Sequence, residues 1–263
     1  MSGQPDFLDV ELGSDGIAVV TMRRPPVNAV SRSMYREIFE LFDDIDRIGP
    51  GVRAVVLTGS GRHFSAGNDL DDFATMTPGN ARERMFGVRE SFFAIQRCKV
   101  PVIGAVGGVA LGTGLALAAS CDFVVASDDA QFGLPELSVG VMGGARHLGR
   151  LVSQPLVRWM FLTGERLSAA RMLGLGAVIK VVPREDLVAA ALTEAGRVAQ
   201  WSPTAVRLAK QGLDDIEFLD TFRGYELEQG LTVRMTSHAD SKAALDAVRT
   251  GEPAKYEEFD RLP

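Results

Sequence analysis

The feature that most constrains the fold is the stretch from Val100 to Cys121, which contains no charged residue. Its length alone would allow it to span a bilayer. A spanning helix, however, is a continuous apolar segment, and here one proline and several glycines interrupt the apolar residues: Pro101, Gly104, Gly107, Gly108, Gly112 and Gly114. A buried strand, a glycine turn and a buried helix fit this composition better. The sequence therefore predicts a buried strand–turn–helix unit and no membrane span.

The same segment predicts a site for a negatively charged group. Its glycine turn runs directly into the predicted helix, whose first backbone N–H groups have no intrahelical acceptor. Such donors, aided by the helix dipole, can stabilise a developing anion. Glu136 follows among Phe132, Leu134, Pro135 and Leu137, where desolvation would raise the pKa of its carboxyl towards neutrality. The alternatives are core packing for the segment and a structural or surface carboxylate for Glu136.

The rest of the chain indicates alternating strands and helices. Residues 7–12 and 17–22 are joined through Ser14-Asp15-Gly16, which predicts a β-hairpin. Ser31 is positioned to cap the next helix, in which apolar residues repeat at helical spacing. Further segments predict a strand at 53–58, a loop at 59–73, a helix at 80–97 and a strand at 122–126. This order predicts parallel strands with crossover helices. After Gly143 nearly everything is predicted to be helical, except 178–182.

Composition argues against several classes of function. The net charge of −6 gives no electrostatic reason to expect nucleic acid, whose binding needs clustered Lys and Arg. Cys98 and Cys121 lack metal-ligand spacing and are expected to be reduced core thiols. The acidic loop residues at 69, 71 and 72 are expected to be solvated, so we expect no metal. The first residues lack a basic segment followed by an apolar core, which predicts no secretory signal and a cytoplasmic location.

Three common functional motifs are incomplete or missing in this sequence. A dinucleotide fingerprint beginning at Gly112 breaks at Leu117, where glycine or alanine belongs. The P-loop spacing from Gly107 to Gly112 is followed by Thr113-Gly114 rather than by Lys and Ser or Thr. No G-x-S-x-G occurs, which argues against a serine hydrolase of the nucleophile-elbow type.

The combined motifs resemble the enoyl-CoA hydratase/isomerase, or crotonase, family over nearly the whole chain. The segments that carry the resemblance are Pro26-Val27-Asn28-Ala29-Val30, Phe64-Ser65-Ala66-Gly67-Asn68-Asp69-Leu70, Pro101 to Val106, Ala110-Leu111-Gly112-Thr113-Gly114, Cys121-Asp122 and Gln131 to Glu136. The resemblance implies an α/β fold with a crotonase-like repeated ββα spiral core at residues 1–201. It also implies a C-terminal helical trimerisation region at 202–263, and hence a homotrimer or homohexamer.

The resemblance also implies roles for particular residues. Family members bind an acyl-CoA thioester and stabilise an enolate-like oxyanion with two backbone amides, which by motif position are those of Asn68 and Thr113. Glu136 matches a catalytic acid/base. Arg23 and Arg24 would either face the CoA phosphates or be solvated surface charges. The implied substrate- and CoA-binding residues are Val27, Ala66, Asn68, Asp69, Leu70, Asp71, Gly112, Thr113, Ala116 and Pro135. Residues 255–259 would close over the adenine.

One position departs from the family pattern. Family hydratases carry a second glutamate two residues after Gly114, and this chain has Ala116 there. A single base suffices to move a proton between C2 and C4, so the sequence favours enoyl-CoA double-bond isomerisation. The alternatives are hydration with a replacement carboxylate (Glu83, Glu90 or Asp72), another family reaction such as thioester hydrolysis, and a non-catalytic acyl-CoA-binding protein. No cofactor is expected, because coenzyme A enters as part of the substrate.

Overall fold

Two β-sheets organise the fold in this computed structural model, which describes residues 7–256. The strands are β1 (Leu8–Leu12), β2 (Ile17–Met22), β3 (Ala54–Gly59), β4 (Val102–Val106), β5 (Val109–Leu111), β6 (Phe123–Ser127), β7 (Gln131–Gly133), β8 (Arg166–Ser168) and β9 (Lys180–Val182). The larger sheet has the order β1-β2-β3-β4-β6-β9, and the smaller sheet has the order β5-β7-β8.

Helices connect and cover these strands. They are α1 (Arg32–Asp43), α2 (Leu70–Ala74), α3 (Ala81–Gln96), α4 (Thr113–Ser120), α5 (Ala145–Leu151), α6 (Gln154–Thr163), α7 (Ala169–Gly174), α8 (Leu187–Ala199), α9 (Pro203–Ile216), α10 (Thr221–Thr236) and α11 (Ala239–Thr250). Ser31 caps α1 as the sequence predicts, because its side chain accepts a hydrogen bond from the Met34 amide.

The larger sheet confirms the predicted hairpin and the predicted parallel order. β1 and β2 pair antiparallel across the turn at Gly16, whose φ of +79° suits glycine. β2, β3, β4, β6 and β9 then pair in parallel. Helix α8 packs on one face of this sheet through Leu187, Ala191 and Ala195. The other face packs against α1, α3 and α4, which explains why β4 is buried along its whole length.

The smaller sheet was not predicted from the sequence. β5 lies between β4 and α4, where the sequence predicted a direct passage from strand through turn to helix. β8 lies in a region predicted to be helical, and α2 lies at the end of the predicted 59–73 loop. These predictions were wrong because strands of three residues and a helix of five are too short to show a hydrophobic period.

The C-terminal part of the described chain consists of α9, α10 and α11. Ser202 caps α9 and Pro203 opens it, as expected for a proline in the first turn. The end of the predicted 202–263 region lies outside the described residues, as does most of the 255–259 segment expected to cover the adenine. Across residues 7–256, every helix is too short or too polar to cross a bilayer. Cys98 and Cys121 are buried free thiols, as predicted.

Candidate active site

The loop that carries Asn68 is fixed on both sides by backbone hydrogen bonds. On one side, Ser65 N donates to Val109 O and Leu111 N donates to Ser65 O, both at 3.0 Å. On the other side, Val30 N donates to Gly67 O at 2.8 Å. These backbone bonds fix the course of the loop at Ser65 and Gly67, directly before Asn68. Asn68 therefore has a defined position between α1 and β5.

Parallel pairing of β5 with β7 brings Glu136 to the start of α4. Leu111 pairs with Gly133, and Gly112 N donates to Gly133 O at 2.9 Å. The residues that follow the two strands consequently lie side by side. A Cβ atom added to Gly112 would lie 2.9 Å from Glu136 Oε1 and 4.0 Å from Gly67 Cα. The loop at 67–68, the start of α4 and the Glu136 carboxylate thus converge around Gly112.

Two backbone amides near this convergence have no acceptor in the part of the chain that the structure describes. Within residues 7–256, neither the Asn68 amide nor the Thr113 amide donates to another protein group. Thr113 is the first residue of α4, where N–H groups have no intrahelical acceptor. The two segments are close, since a Cβ atom on Gly67 would lie 4.0 Å from Thr113 N. This arrangement can bind an oxygen atom that carries negative charge.

Glu136 is a buried carboxylate in an apolar setting. It begins a short 3-10 helix, its residue exposure is 7%, and its Oε2 atom has no hydrogen-bond partner among the described residues. Burial raises the pKa of this carboxyl to about 7, and the Glu136 backbone amide opposes that shift. A Cβ atom on Gly144 would lie 3.5 Å from Oε1, so a second glycine leaves room for the carboxylate. Near neutral pH this group can both accept and return a proton.

The Asp69 carboxylate differs from that of Glu136 because it is ion-paired and hydrogen-bonded. It caps α2 by accepting from Asp72 N at 2.7 Å and forms an ion pair with Arg24. These donors lower the pKa of the Asp69 carboxyl, so it stays ionised. Arg24 also donates to Ala29 O at 3.0 Å, and Arg23 pairs with Asp9 at 2.7 Å. Asp69 and Arg24 therefore brace the loops of the site.

Asn28 connects several loops by hydrogen bonds, a role that the motif at Pro26–Val30 did not reveal. It is fully buried, has a φ of +50°, and its Nδ2 donates to His63 O at 2.7 Å and to Ser60 O at 3.0 Å. Ser65 Oγ donates to the Asn28 carbonyl at 2.8 Å. Asparagine tolerates this backbone conformation better than most residues. The motif at Pro26–Val30 thus holds the loop that carries Asn68, through the hydrogen bond from Ser65 to Asn28.

Tyr35 is the polar site residue that sequence reasoning missed. It lies on α1 beside the apolar stripe, and its hydroxyl is 2.6 Å from both Asn68 Oδ1 and Thr113 Oγ1. A buried tyrosine hydroxyl needs a partner, but the sequence does not indicate which groups supply it. A cavity of about 500 Å³ opens beside Tyr35 and Asn68, with Phe39, Phe73 and Phe86 in its wall.

The remaining predicted residues lie on the same loops with different exposure. Gly112 and Ala116 are buried, and Ala116 packs within the core at 1% exposure. Val27, Ala66, Asn68, Asp69 and Pro135 are half-buried, while Leu70 and Asp71 are exposed at the start of α2. Glu136 and Thr113 are not in the lining of the 500 Å³ cavity.

Comparison with known proteins gives a consistent result. A family model described as enoyl-CoA hydratase/isomerase matches residues 13–258. A (7aS)-7a-methyl-1,5-dioxo-2,3,5,6,7,7a-hexahydro-1H-indene-carboxyl-CoA hydrolase from Rhodococcus jostii is 37% identical over 92% of this chain and 94% of its own. A short-chain-enoyl-CoA hydratase from Clostridium acetobutylicum is 35% identical over 75% of this chain and 77% of its own.

Solved structures share the fold. The crystal structure of enoyl-CoA hydratase from Bacillus anthracis superposes with a TM-score of 0.90 at 28% identity, covering 97% of this chain and all of the other. The family match, the relatives and the shared fold cover most of the chain. The chain therefore belongs to the enoyl-CoA hydratase/isomerase family, the crotonase family of enzymes that act on CoA thioesters.

Proposed function

We propose that this enzyme isomerises the double bond of an enoyl-CoA thioester, with Glu136 as its acid/base. The observation that carries the proposal is one buried carboxylate, with its pKa raised to about 7, beside two backbone amides that have no acceptor among the described residues. Moving a proton between C2 and C4 leaves the oxidation state of the substrate unchanged. The reaction therefore needs one base and one anion site, and we propose no cofactor beyond the CoA carried by the substrate.

The Asn68 and Thr113 amides are proposed to form the oxyanion hole. Loss of a proton from C2 of a 3-enoyl thioester leaves an enolate whose charge lies mainly on the thioester oxygen. Two N–H donors at that oxygen stabilise the enolate more than the neutral substrate, which lowers the barrier. The N-terminal end of α4 adds a favourable dipole.

Glu136 is proposed to carry the proton between the two carbons. Its ionised carboxylate removes the proton from C2, and the resulting carboxylic acid returns that proton to C4 as the double bond moves to C2–C3. A pKa near the working pH lets one group serve in both steps. Oε2 has no hydrogen-bond donor among residues 7–256. In the proposed reaction this oxygen is therefore free to accept the substrate proton.

The alternative of hydration requires a second group to activate water. Ala116 offers none, and each replacement carboxylate considered from the sequence already pairs with an arginine. The pairs are Asp72 with Arg84 at 3.0 Å, Glu83 with Arg32 at 2.7 Å and Glu90 with Arg89 at 2.9 Å. Each of these carboxylates is thus already engaged by a guanidinium group, whereas Glu136 Oε2 has no partner among the described residues. This pairing favours isomerisation over hydration.

Hydrolysis is the second candidate function. It is favoured by the Rhodococcus jostii relative, whose name describes a hydrolase of a CoA ester bearing two ring carbonyl groups. The same site would serve, because Glu136 would activate water and the two amides would bind the oxyanion formed by attack on a carbonyl. Both candidates thus use the same three groups and differ in whether a water molecule is incorporated.

Product analysis distinguishes these functions. Purified protein is incubated separately with 3-enoyl-CoA, 2-enoyl-CoA and cyclic β-keto acyl-CoA esters, and the products are separated by liquid chromatography and mass spectrometry. We expect conversion of 3-enoyl-CoA to an isomer of unchanged mass. Faster addition of one water to 2-enoyl-CoA would overturn the proposal in favour of hydration. Turnover only of the keto esters, with gain of water, would establish hydrolysis, and tight binding without turnover would indicate a non-catalytic protein.

Coenzyme A is proposed to lie along the loops at 66–71 and near Val27. Support comes from their position: Ala66 N donates to Val27 O at 2.9 Å, and Leu70 is 62% exposed beside the site. Gly112, Ala116 and Pro135 are proposed to surround the acyl end, because they adjoin Thr113 and Glu136.

The helices from Ser202 onward are proposed to form a trimer, or a pair of trimers. They expose large apolar side chains that a monomer would leave in water: Leu213, Phe218, Phe222, Tyr225, Val233 and Val248.

Phe222 is 80% exposed, so Phe222→Asp should shift sedimentation towards a smaller species with little change in protomer helix content. Leu12→Asp on β1 is the control and should leave the assembly unchanged. A wild-type monomer at working concentration would refute the proposal.

A further inference from the structure

One buried phenol joins the two segments that supply the anion site. Tyr35 is 5% exposed, and its hydroxyl donates to Asn68 Oδ1 at 2.6 Å. The same hydroxyl is 2.6 Å from Thr113 Oγ1. Asn68 and Thr113 are far apart in sequence, on the loop before α2 and at the start of α4. The hydroxyl therefore forms a bridge of fixed length between them.

The protons of this bridge can be assigned by counting donors. A tyrosine hydroxyl has one proton and can also accept. If that proton goes to Asn68 Oδ1, the Thr113 hydroxyl must donate its own proton to the tyrosine oxygen. Burial raises the pKa of the Tyr35 hydroxyl far above its usual range, so it stays neutral. Tyr35 is consequently no competing base beside Glu136.

The phenol ring is itself held in place. Residues Met34, Ile38 and Phe42 anchor α1 in the core at 1% exposure or less. Phe92 of α3 meets the Tyr35 ring edge-on, with a centroid distance of 6.1 Å and an interplanar angle of 74°. An aromatic ring packed in this way cannot swing without disturbing its neighbours. The bridge is therefore rigid at both the ring and the hydroxyl.

We propose that Tyr35 is a positioning residue that sets the separation and direction of the Asn68 and Thr113 amides. The inference rests on the proposed function, in which these amides bind the enolate oxygen. Donors in such a site act strongly only when they are pre-aligned with the developing charge, and small misplacements reduce rate by large factors. Thr113 contributes twice: its amide faces the substrate oxygen and its hydroxyl fixes the orientation of that amide.

The test is Tyr35→Phe, which removes the bridging oxygen and keeps the ring. We expect kcat on the preferred enoyl-CoA to fall about 10- to 100-fold, with KM within about threefold. Thr193→Val removes a hydroxyl group from an exposed position on α8, outside the site and the helices proposed to form the trimer, and serves as the control. Unchanged kcat in Tyr35→Phe would overturn the inference.

A spectroscopic readout separates positioning from general stability. Acetoacetyl-CoA ionises to an enolate that absorbs in the near ultraviolet, so its pKa can be measured while it is bound. We expect the wild type to lower that pKa, and Tyr35→Phe to raise it by about one unit relative to the wild type, equivalent to a tenfold loss of enolate stabilisation. A wild type that leaves the ligand pKa unchanged would overturn the oxyanion hole itself. A wild type that lowers it, with Tyr35→Phe equal to the wild type, would overturn only the role of Tyr35.

A second variant tests the same bridge from its other end. Thr113→Val removes the hydroxyl but keeps the amide and the branched shape. We expect it to raise the bound ligand's pKa as Tyr35→Phe does, with the double variant no worse than either single one, because all three lack the same bridge. Thr113→Ser should restore most of the activity. Additive losses in the double variant would overturn the inference, even if Tyr35→Phe alone lowered thermal stability.

Discussion

Glu136→Gln is expected to lower kcat on the preferred enoyl-CoA by about 10²- to 10⁴-fold, the usual contribution of a positioned acid/base. Glutamine keeps the size of the side chain but cannot take a proton from C2. The fold should survive, because the replaced carboxylate is buried with no partner at Oε2 among the described residues. Full turnover by the variant would refute the assignment of the base. Glu165→Gln, an exposed position after α6, is the control.

The pH dependence gives a second check on the same residue. The first step needs ionised Glu136, and its pKa is raised to about 7 by burial. Wild-type kcat/KM should therefore rise with pH through a limb near 7 and level off above it, since kcat/KM reports groups of the free enzyme. The residual activity of Glu136→Gln should lack that limb. A limb near the ordinary carboxyl pKa would show that substrate-free Glu136 is more solvated than its burial indicates.

The main sheet could be predicted from the sequence because its signals are local. The hairpin turn at Ser14-Asp15-Gly16 and the cap at Ser31 each act within a few residues, and both are confirmed. β4 is an unbroken apolar run because both faces of the sheet are covered. The smaller sheet could not be predicted, since β5, β7 and β8 have three residues each and gain stability from pairing with segments that are distant in sequence.

The candidate site was predicted only in part for the same reason. The family motifs place Asn68, Thr113 and Glu136 along the chain, and the structure brings them together around Gly112. Their catalytic roles stay predictions. Tyr35 was missed because it adjoins an apolar helical stripe, where an aromatic residue normally indicates packing. The partners of its hydroxyl come from two distant segments, so only tertiary structure identifies them.

Gly112→Ala should lower turnover about 100-fold, an effect that comes from displacing Glu136 rather than from removing it. Gly112 has a φ of +53° and a ψ of −116°, and the added Cβ would lie 2.9 Å from Glu136 Oε1. That distance is too short for a carbon–oxygen contact, so the carboxylate must shift from its position beside the start of α4. The reaction depends on both groups reaching one substrate, and a shift of about 1 Å is enough to uncouple them.

The control for Gly112→Ala separates this contact from backbone strain. Gly164→Ala also places a side chain at positive φ, here +72°, but no atom lies within 4 Å of the added Cβ. Both variants should lose stability in denaturant unfolding. Gly164→Ala should lose about 1–2 kcal/mol for its left-handed backbone, and Gly112→Ala should lose more, because its ψ of −116° lies outside the left-handed region. Only Gly112→Ala should lose turnover as well. Equal turnover losses in the two variants would mean that strain alone accounts for the effect, and that Glu136 does not need the space that Gly112 leaves beside the start of α4.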